Sequence, residues 1–175
     1  MRMHFVFQSL SLESSLSFFS SSIFILFQLM LAISAEIDLQ EVFEKHKIVP
    51  DVIPRPPLHP LLEIFFFDKV QYGNRMTPNT VCNPPTLLDY PMVSGFYYTI
   101  LIIDPDAPSP KDPIEKERIH WLLVNVPGVE YSKGHTVVEY RGIIKDKEKA
   151  PHRYVTLVYE QPNEMQFDER KVKSA

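Results

Sequence analysis

The sequence predicts a mainly β domain, an antiparallel β-sandwich with short peripheral helices. From residue 35 onward the chain carries all sixteen of its prolines and all five of its glycines, which divide it into short apolar segments. These segments are rich in β-branched and aromatic residues, and none keeps a helical period over ten or more residues. Short strands separated by turns are typical of a sandwich.

Each predicted strand is one of these apolar segments. The five strands are expected at 61–67, 97–103, 120–126, 136–140 and 154–159. One short helix is expected after Asp38, because Asp38 and Glu41 have the spacing of a helix start and Pro50 ends the pattern. The proline-rich stretch 48–57 is expected to cross the surface in an extended conformation, since proline removes an amide donor.

Composition limits the function classes. The 175 residues are 45% hydrophobic and 23% charged, which suits one globular domain. The net charge of −4 comes without a basic stripe, so a nucleic-acid partner is not expected. Cys82 is the single cysteine, which excludes an internal disulfide; we interpret it as a small buried hydrophobic residue.

The first 34 residues differ from the rest and are predicted to be an export segment. They carry two formal charges, and the apolar run 23–33 has the length of a signal-peptide core but is shorter than a membrane span. Small residues favour cleavage after Ser34, so secretion is the leading interpretation. The alternatives are an uncleaved signal anchor that tethers the protein to a membrane, or a cytoplasmic product that starts at Met30.

Two carboxylates stand directly after a predicted strand. Asp104 and Asp106 are two residues apart, which places both on one face of an extended backbone. Carboxylates this close raise one another's proton affinity, and they can hold a shared proton, a metal or the donors of a ligand. A structural turn is the alternative, because aspartate followed by proline is a common turn former.

Two other strand starts carry histidine. His120 begins one predicted strand, where alternation places it with Leu122 and Val124 on an inward face. His152 and Tyr154 share a face where the last strand begins, and Arg153 points to the other face. Strand ends that each deliver an aspartate or a histidine can converge on one small polar pocket.

These motifs together resemble the phosphatidylethanolamine-binding protein family, which includes the Raf kinase inhibitor proteins. The resemblance is carried by "DPDAPSPKDP", "IHWLLVNV" and "HRYVTLVYEQ", with weaker similarity in "MTPNTVCNPPT" and "EVFEKHKIVPDVI". It covers about residues 36–168. It implies a β-sandwich with a small pocket for phosphate-like headgroups, without catalytic turnover. No cofactor or metal is expected, because nothing in the sequence fixes a metal geometry at the aspartates and histidines.

The resemblance also implies which residues bind the ligand. The matching positions are Asp104, Asp106, Pro108, His120, Gly142, His152 and Tyr154. Three departures from the family pattern stand beside them. Arg118 occupies a position near the strand histidine where the family has an aromatic residue. In the loop 142–151, Ile144 replaces a glycine, and Lys145 and Asp146 replace prolines. The family's closing C-terminal segment is missing, so the domain 35–175 is expected to be incomplete.

Three classes of function follow from the sequence. The first is non-catalytic binding of phospholipid headgroups, phosphatidylethanolamine-like, or of other small anionic or apolar ligands. The second is an interaction protein that inhibits a protease or a kinase, and a truncated, weakly functional family member is a further alternative. The third is an enzyme that uses Asp104 and Asp106, for which no partner motif is found. The domain is expected to contain no transmembrane span.

Overall fold

A computed structural model describes residues 37–116, 118–142 and 150–167. The predicted export segment, the loop substitutions at Ile144, Lys145 and Asp146, and the final residues of the chain lie outside the described residues. Across the part that the structure describes, no helix combines the length and hydropathy required to cross a bilayer.

One helix, one 3-10 turn and seven strands make up the described secondary structure. They are α1 (Leu39–Lys45), β1 (Leu62–Phe65), β2 (Asp68–Lys69), β3 (Leu87–Asp89), β4 (Tyr97–Asp104), β5 (Arg118–Pro127), the 3-10 turn Tyr131–Lys133, β6 (His135–Val138) and β7 (Val155–Gln161). The predicted helix start is confirmed, because the Asp38 side chain accepts a hydrogen bond from the Glu41 amide at 3.1 Å. Each of the five predicted strands corresponds to an observed one, and β2 and β3 were not predicted.

The strands form two antiparallel sheets, which confirms the predicted sandwich. One sheet has the order β2-β1-β3 and the other the order β6-β5-β4-β7. Leu88 of the small sheet packs with Ile100 and Trp121 of the large sheet in one buried cluster. A second cluster, built on Ile48 and Leu157, covers the opposite face of the large sheet. The second face of the large sheet is therefore covered around Ile103 and Leu157.

The row of buried residues on strand β4 ends in a buried aspartate. Burial alternates along its eight residues, so that Tyr98, Ile100, Ile102 and Asp104 are buried in turn. Asp104 is 1% exposed and continues the row of Ile100 and Ile102. A carboxylate at the end of a core face needs partners, because burying an unpaired charge is costly.

Strand β5 does not follow the predicted alternation. Its pairing with β4 jumps from Trp121 to Ile119, which leaves His120 as an extra residue at a bulge. The expectation that His120, Leu122 and Val124 share the inward face is wrong for the first two. Trp121 and Leu123 lie in the core cluster instead, while His120 and Leu122 are half-buried and Val124 is fully buried.

Two smaller expectations are also wrong. The stretch 48–57 is not a purely surface crossing, because Ile48 and Val49 are buried at 7% and 9% exposure. Ile48 packs against Val155 and Leu157 of the large sheet. Cys82 is exposed rather than buried, and its thiol donates to the carbonyl of Asn79 at 3.1 Å.

Candidate ligand-binding site

The centre of the site is a pair formed by Asp104 and His152. Nδ1 of His152 lies 2.8 Å from Oδ2 of Asp104, and the two side chains are 10% and 2% exposed. The other carboxylate oxygen, Oδ1, accepts the backbone amide of Asp106 at 2.8 Å. Both oxygens of this buried carboxylate are thus satisfied, and one of them fixes the ring of His152.

Asp106 is engaged by a different residue, Arg153. The backbone amide of Arg153 donates to Oδ2 of Asp106 at 2.7 Å. The guanidinium nitrogen Nη2 of Arg153 donates to Oδ1 of Asp106 at 2.6 Å. Burial raises the pKa of Asp106, but the hydrogen bonds and charge of Arg153 outweigh burial, so the pKa lies below its usual range. The expectation that the two neighbouring aspartates raise each other's proton affinity is therefore wrong for Asp106.

His120 is held by the backbone of residue 141. Nδ1 of His120 lies 2.8 Å from the carbonyl oxygen of Arg141, and the Arg141 amide donates to the His120 carbonyl at 2.7 Å. The next residue, Gly142, lies so close to Cys82 that a Cβ there would overlap the Cys82 carbonyl oxygen. Glycine is required at 142 by this backbone approach. The bulged histidine and Gly142 are thus joined by one short segment.

Tyr154 lies between the two histidines. Its ring meets His120 edge-on, with centroids 5.1 Å apart, and stacks on His152 at 6.4 Å with an interplanar angle of 18°. Both distances lie within the range of aromatic pairs that stabilise each other. Tyr154, which directly precedes β7, therefore contacts both imidazole rings and adds to the hydrogen bonds that hold them.

The hydrogen bonds at Nδ1 decide what each imidazole offers at its other nitrogen. A carbonyl or a carboxylate only accepts, so Nδ1 carries a proton in both His120 and His152. Nε2 of each ring is buried and has no hydrogen-bond partner among the described residues. In a neutral ring this nitrogen accepts a proton, and in a charged ring it donates to an anion. The site can therefore receive an acidic group or, after protonation, an anion.

The structure brings most of the predicted site residues together. Asp104, His120, His152 and Tyr154 form one continuous set of contacts, and Gly142 follows the residue that holds His120. Asp106 lies beside this set but binds Arg153. Pro108 is half-buried in the loop that follows, after a cis bond from Ala107.

Arg153 is a site residue that the sequence patterns did not indicate. Besides Asp106, its Nη1 donates to the carbonyl of Lys47 at 2.7 Å, next to the end of α1. Its position between two predicted site residues was the available signal. Arg118 faces solvent and pairs with Glu115, three residues earlier. Within the described ranges, no three histidine, cysteine or acidic side chains are grouped to hold a metal ion.

Comparison with known proteins agrees with this architecture. The family model for phosphatidylethanolamine-binding protein matches residues 69–175. A Drosophila melanogaster protein, named as a candidate odorant-binding protein A5, is 33% identical over 77% of this chain. The match spans 64% of that protein's own length, less than two thirds of it.

Two solved structures have a similar fold. One is a carboxypeptidase Y inhibitor complexed with its cognate proteinase, with a TM-score of 0.66, 25% identity and 76% coverage of both chains. The other is a phosphatidylethanolamine-binding protein from Plasmodium vivax, with a TM-score of 0.55, 20% identity and coverage of 69% of this chain and 70% of that one. Family model, relative and fold agree, and the chain belongs to the phosphatidylethanolamine-binding protein family.

Proposed function

We propose that the protein binds a small phosphate-like anion, such as a phospholipid headgroup, without catalysing a reaction. The observation that carries this proposal is the pair of buried Nε2 atoms on His120 and His152, neither of which has a partner among the described residues. Buried polar atoms in proteins are nearly always hydrogen-bonded, so two of them in one site point to a ligand.

The charges around the pair support an anionic ligand. Arg153 pairs with the Asp106 carboxylate, and both oxygens of Asp104 accept hydrogen bonds, one from Nδ1 of His152 and one from the Asp106 amide. The carboxylate oxygens of both aspartates are thus engaged by donors of the protein. Charge-assisted hydrogen bonds from imidazolium to phosphate oxygen are among the stronger ones in proteins. Membership of a family named for phosphatidylethanolamine binding supports the same choice.

A titration followed by amide chemical shifts tests this function. Phosphate and phosphorylethanolamine, added separately to the full chain, should shift signals at Asp104, His120 and His152. His120→Asn and His152→Asn should remove the shifts. The asparagine amide can donate from about the place of Nδ1, but asparagine has no atom at the place of Nε2. His59→Ala, at an exposed histidine, is the control and should leave them unchanged. Wild-type spectra that stay unaltered at high ligand would refute the proposal.

A second candidate function is inhibition of a protease. It is favoured by the likeness to a carboxypeptidase Y inhibitor, with 25% identity and a TM-score of 0.66. The purified chain should then slow peptide hydrolysis by carboxypeptidase Y in proportion to its concentration. His120→Asn separates the two functions, because a surface that occludes the enzyme does not require the buried nitrogen. An unchanged hydrolysis rate at saturating protein would exclude this candidate.

A further inference from the structure

The turn between β1 and β2 exposes two consecutive phenylalanines. Phe65 pairs with Asp68, so Phe66 and Phe67 form a two-residue hairpin turn. Phe67 is 97% exposed and Phe66 is 55% exposed. Such side chains are normally buried, and here they protrude together at the end of a narrow hairpin. We refer to Phe66 and Phe67 as the hairpin tip.

The backbone conformation of the tip also argues against a purely structural role for the two phenylalanines. Phe66 has a φ of 56°, in the left-handed region that costs free energy for a bulky residue. Two-residue hairpin turns with a positive φ normally use glycine, asparagine or aspartate at that position. An exposed aromatic residue in a strained position adds nothing to the core, which suggests a role outside the folded domain.

Positive charge lies next to the tip. A cavity of about 400 Å³ beside it is lined by Phe67, Asp68, Lys69, Asn74, Arg75 and Thr80, among others. The Asp68 carboxylate accepts the hydroxyl of Thr80 at 3.2 Å. Neither Lys69 nor Arg75 forms an ion pair with a described acidic residue. An apolar tip is thus bordered by two cations that are available to an external partner.

We propose that the hairpin tip docks on the surface of an anionic lipid bilayer. Phe66 and Phe67 enter the interfacial region, while Lys69 and Arg75 contact lipid phosphates, as in interfacial anchors that combine apolar burial with basic residues. A protein partner is less suited, because two phenylalanine side chains supply far less than the roughly 800 Å² per partner of a stable interface. A bilayer needs no matching surface.

This docking site is distinct from the ligand site and does not rest on the proposed function. The two are neighbours in the chain, since Thr80 lines the cavity at the tip and Cys82 supports Gly142 at the ligand site. Docking would therefore hold the ligand site close to a membrane whether or not the ligand is a headgroup. The two proposals need different residues and can fail separately.

A tryptophan in the tip tests insertion directly. In Phe67→Trp, emission should shift to the blue and be quenched by brominated acyl chains when phosphatidylcholine vesicles containing phosphatidylserine are added. The native Trp121 is 5% exposed and provides a constant background. Ile114→Trp is the matched control, because Ile114 is 76% exposed elsewhere on the surface, and it should not be quenched. Bound protein without quenching at residue 67, or no binding at all, would overturn the proposal.

Paired variants of the full chain test affinity. Phe67→Ser and the double variant Lys69→Glu with Arg75→Glu should each weaken vesicle partitioning by about tenfold or more. Ile114→Ser and Lys111→Glu with Lys116→Glu, which reverse the same number of charges, should have no effect. The apolar run 23–33 is common to all variants, so differences between them report on the tip.

Two results would reassign the exposed phenylalanines. If His120→Asn removes vesicle binding and Phe67→Ser does not, the ligand site alone binds the membrane. If Phe67→Ser changes only the sedimentation of the protein, the tip is a contact between two copies. Either result overturns membrane docking by the tip, and His120→Asn should otherwise bind vesicles as the native chain does.

Discussion

The backbone amide and the guanidinium group of Arg153 bind the same carboxylate, that of Asp106, at 2.7 Å and 2.6 Å. The guanidinium also donates to the carbonyls of His46 and Lys47 beyond the end of α1. The hydrogen bond to Asp106 is the main reason that the pKa of Arg153 is raised. One side chain thus joins the segment after α1, the loop after β4 and the segment that leads into β7.

Loss of this side chain should destabilise the domain. In Arg153→Met, the buried Asp106 carboxylate keeps its desolvation cost without its partner, so the free energy of unfolding should fall by about 2 kcal/mol or more. Urea denaturation of the full chain measures this. Arg118→Met is the control, since Arg118 forms a surface pair with Glu115 and should cost less than about 1 kcal/mol. Equal losses in the two variants would contradict the role assigned to Arg153.

Stability should depend on pH through Glu63. Burial raises the pKa of Glu63 to about 7, with a smaller opposing effect from the Thr156 hydroxyl. The folded state therefore holds this proton more tightly than the unfolded state. The stabilisation from this proton is fully present below pH 4.5, the ordinary pKa of a glutamate, and is lost as the pH rises through about 7. The expected loss is about 3 kcal/mol.

Replacement of the titrating group isolates this effect. Glu63→Gln should remove the loss, making the variant more stable than the native chain at pH 8 and similar to it at pH 4. Thermal unfolding across this pH range measures the difference. Glu160→Gln, at an exposed position on β7, should leave the native pH dependence intact. A Glu63→Gln variant with the native pH profile would show that another group is responsible.

A methyl group at residue 142 should disturb the ligand site. In Gly142→Ala, the new Cβ would overlap the carbonyl of Cys82, so the segment must move and stability should fall by about 1–3 kcal/mol. The movement should reach His120 through Arg141 and appear in the His120 imidazole chemical shifts. Gly95→Ala is the comparison, because a Cβ there meets no atom within 4 Å and carries only the cost of a φ of +86°. It should leave the His120 signals unchanged.

Anion binding should take up protons. Because Nδ1 of both imidazoles already donates, Nε2 donates to an anion only when the ring gains a second proton. Sulfate brings no proton at neutral pH, so its affinity should rise as the pH falls. The heat of sulfate binding should also vary with the ionisation enthalpy of the buffer. If sulfate affinity does not depend on pH and the heat of binding does not depend on the buffer, the histidines do not donate to the anion.

Export of the protein remains a prediction from the sequence. We propose that residues 1–34 direct secretion, so the protein recovered from culture medium should begin near Ala35. N-terminal sequencing tests this directly. A retained Met1 in a membrane fraction would instead indicate an anchor, and a product that begins at Met30 in the cytosol would indicate internal initiation.

The sheet architecture could be predicted because it depends on local patterns. Alternation along β4 and the apolar composition of β5 and β7 were visible in the sequence. Strands β2 and β3 were missed, since two and three residues are too short to show a period. The orientation of His120 was also missed, because a bulge reverses alternation and leaves no mark on residue type.

The site could be predicted only in part. The residue types at 104, 120, 152 and 154 indicated a polar pocket, and the structure brings them into contact. The partner of each aspartate could not be predicted, because Asp104 and His152 are 48 residues apart and Asp106 and Arg153 are 47 apart. Which of His152 and Arg153 meets which carboxylate is decided by how β7 pairs with β4.

The arrangement of β7 beside β4 therefore ties ligand recognition to the completion of folding. Three consecutive residues just before β7 contact Asp104, Asp106 and His120, and Arg153 extends these contacts to Lys47, 106 positions away in sequence. A chain that has formed β4 and β5 but has not yet docked β7 can hold the hydrogen bond from the Asp106 amide to Asp104, but it lacks His152, Arg153 and Tyr154 at the site. Affinity for an anion would then show that β7 has paired with β4, and a bound ligand would stabilise this last step of folding.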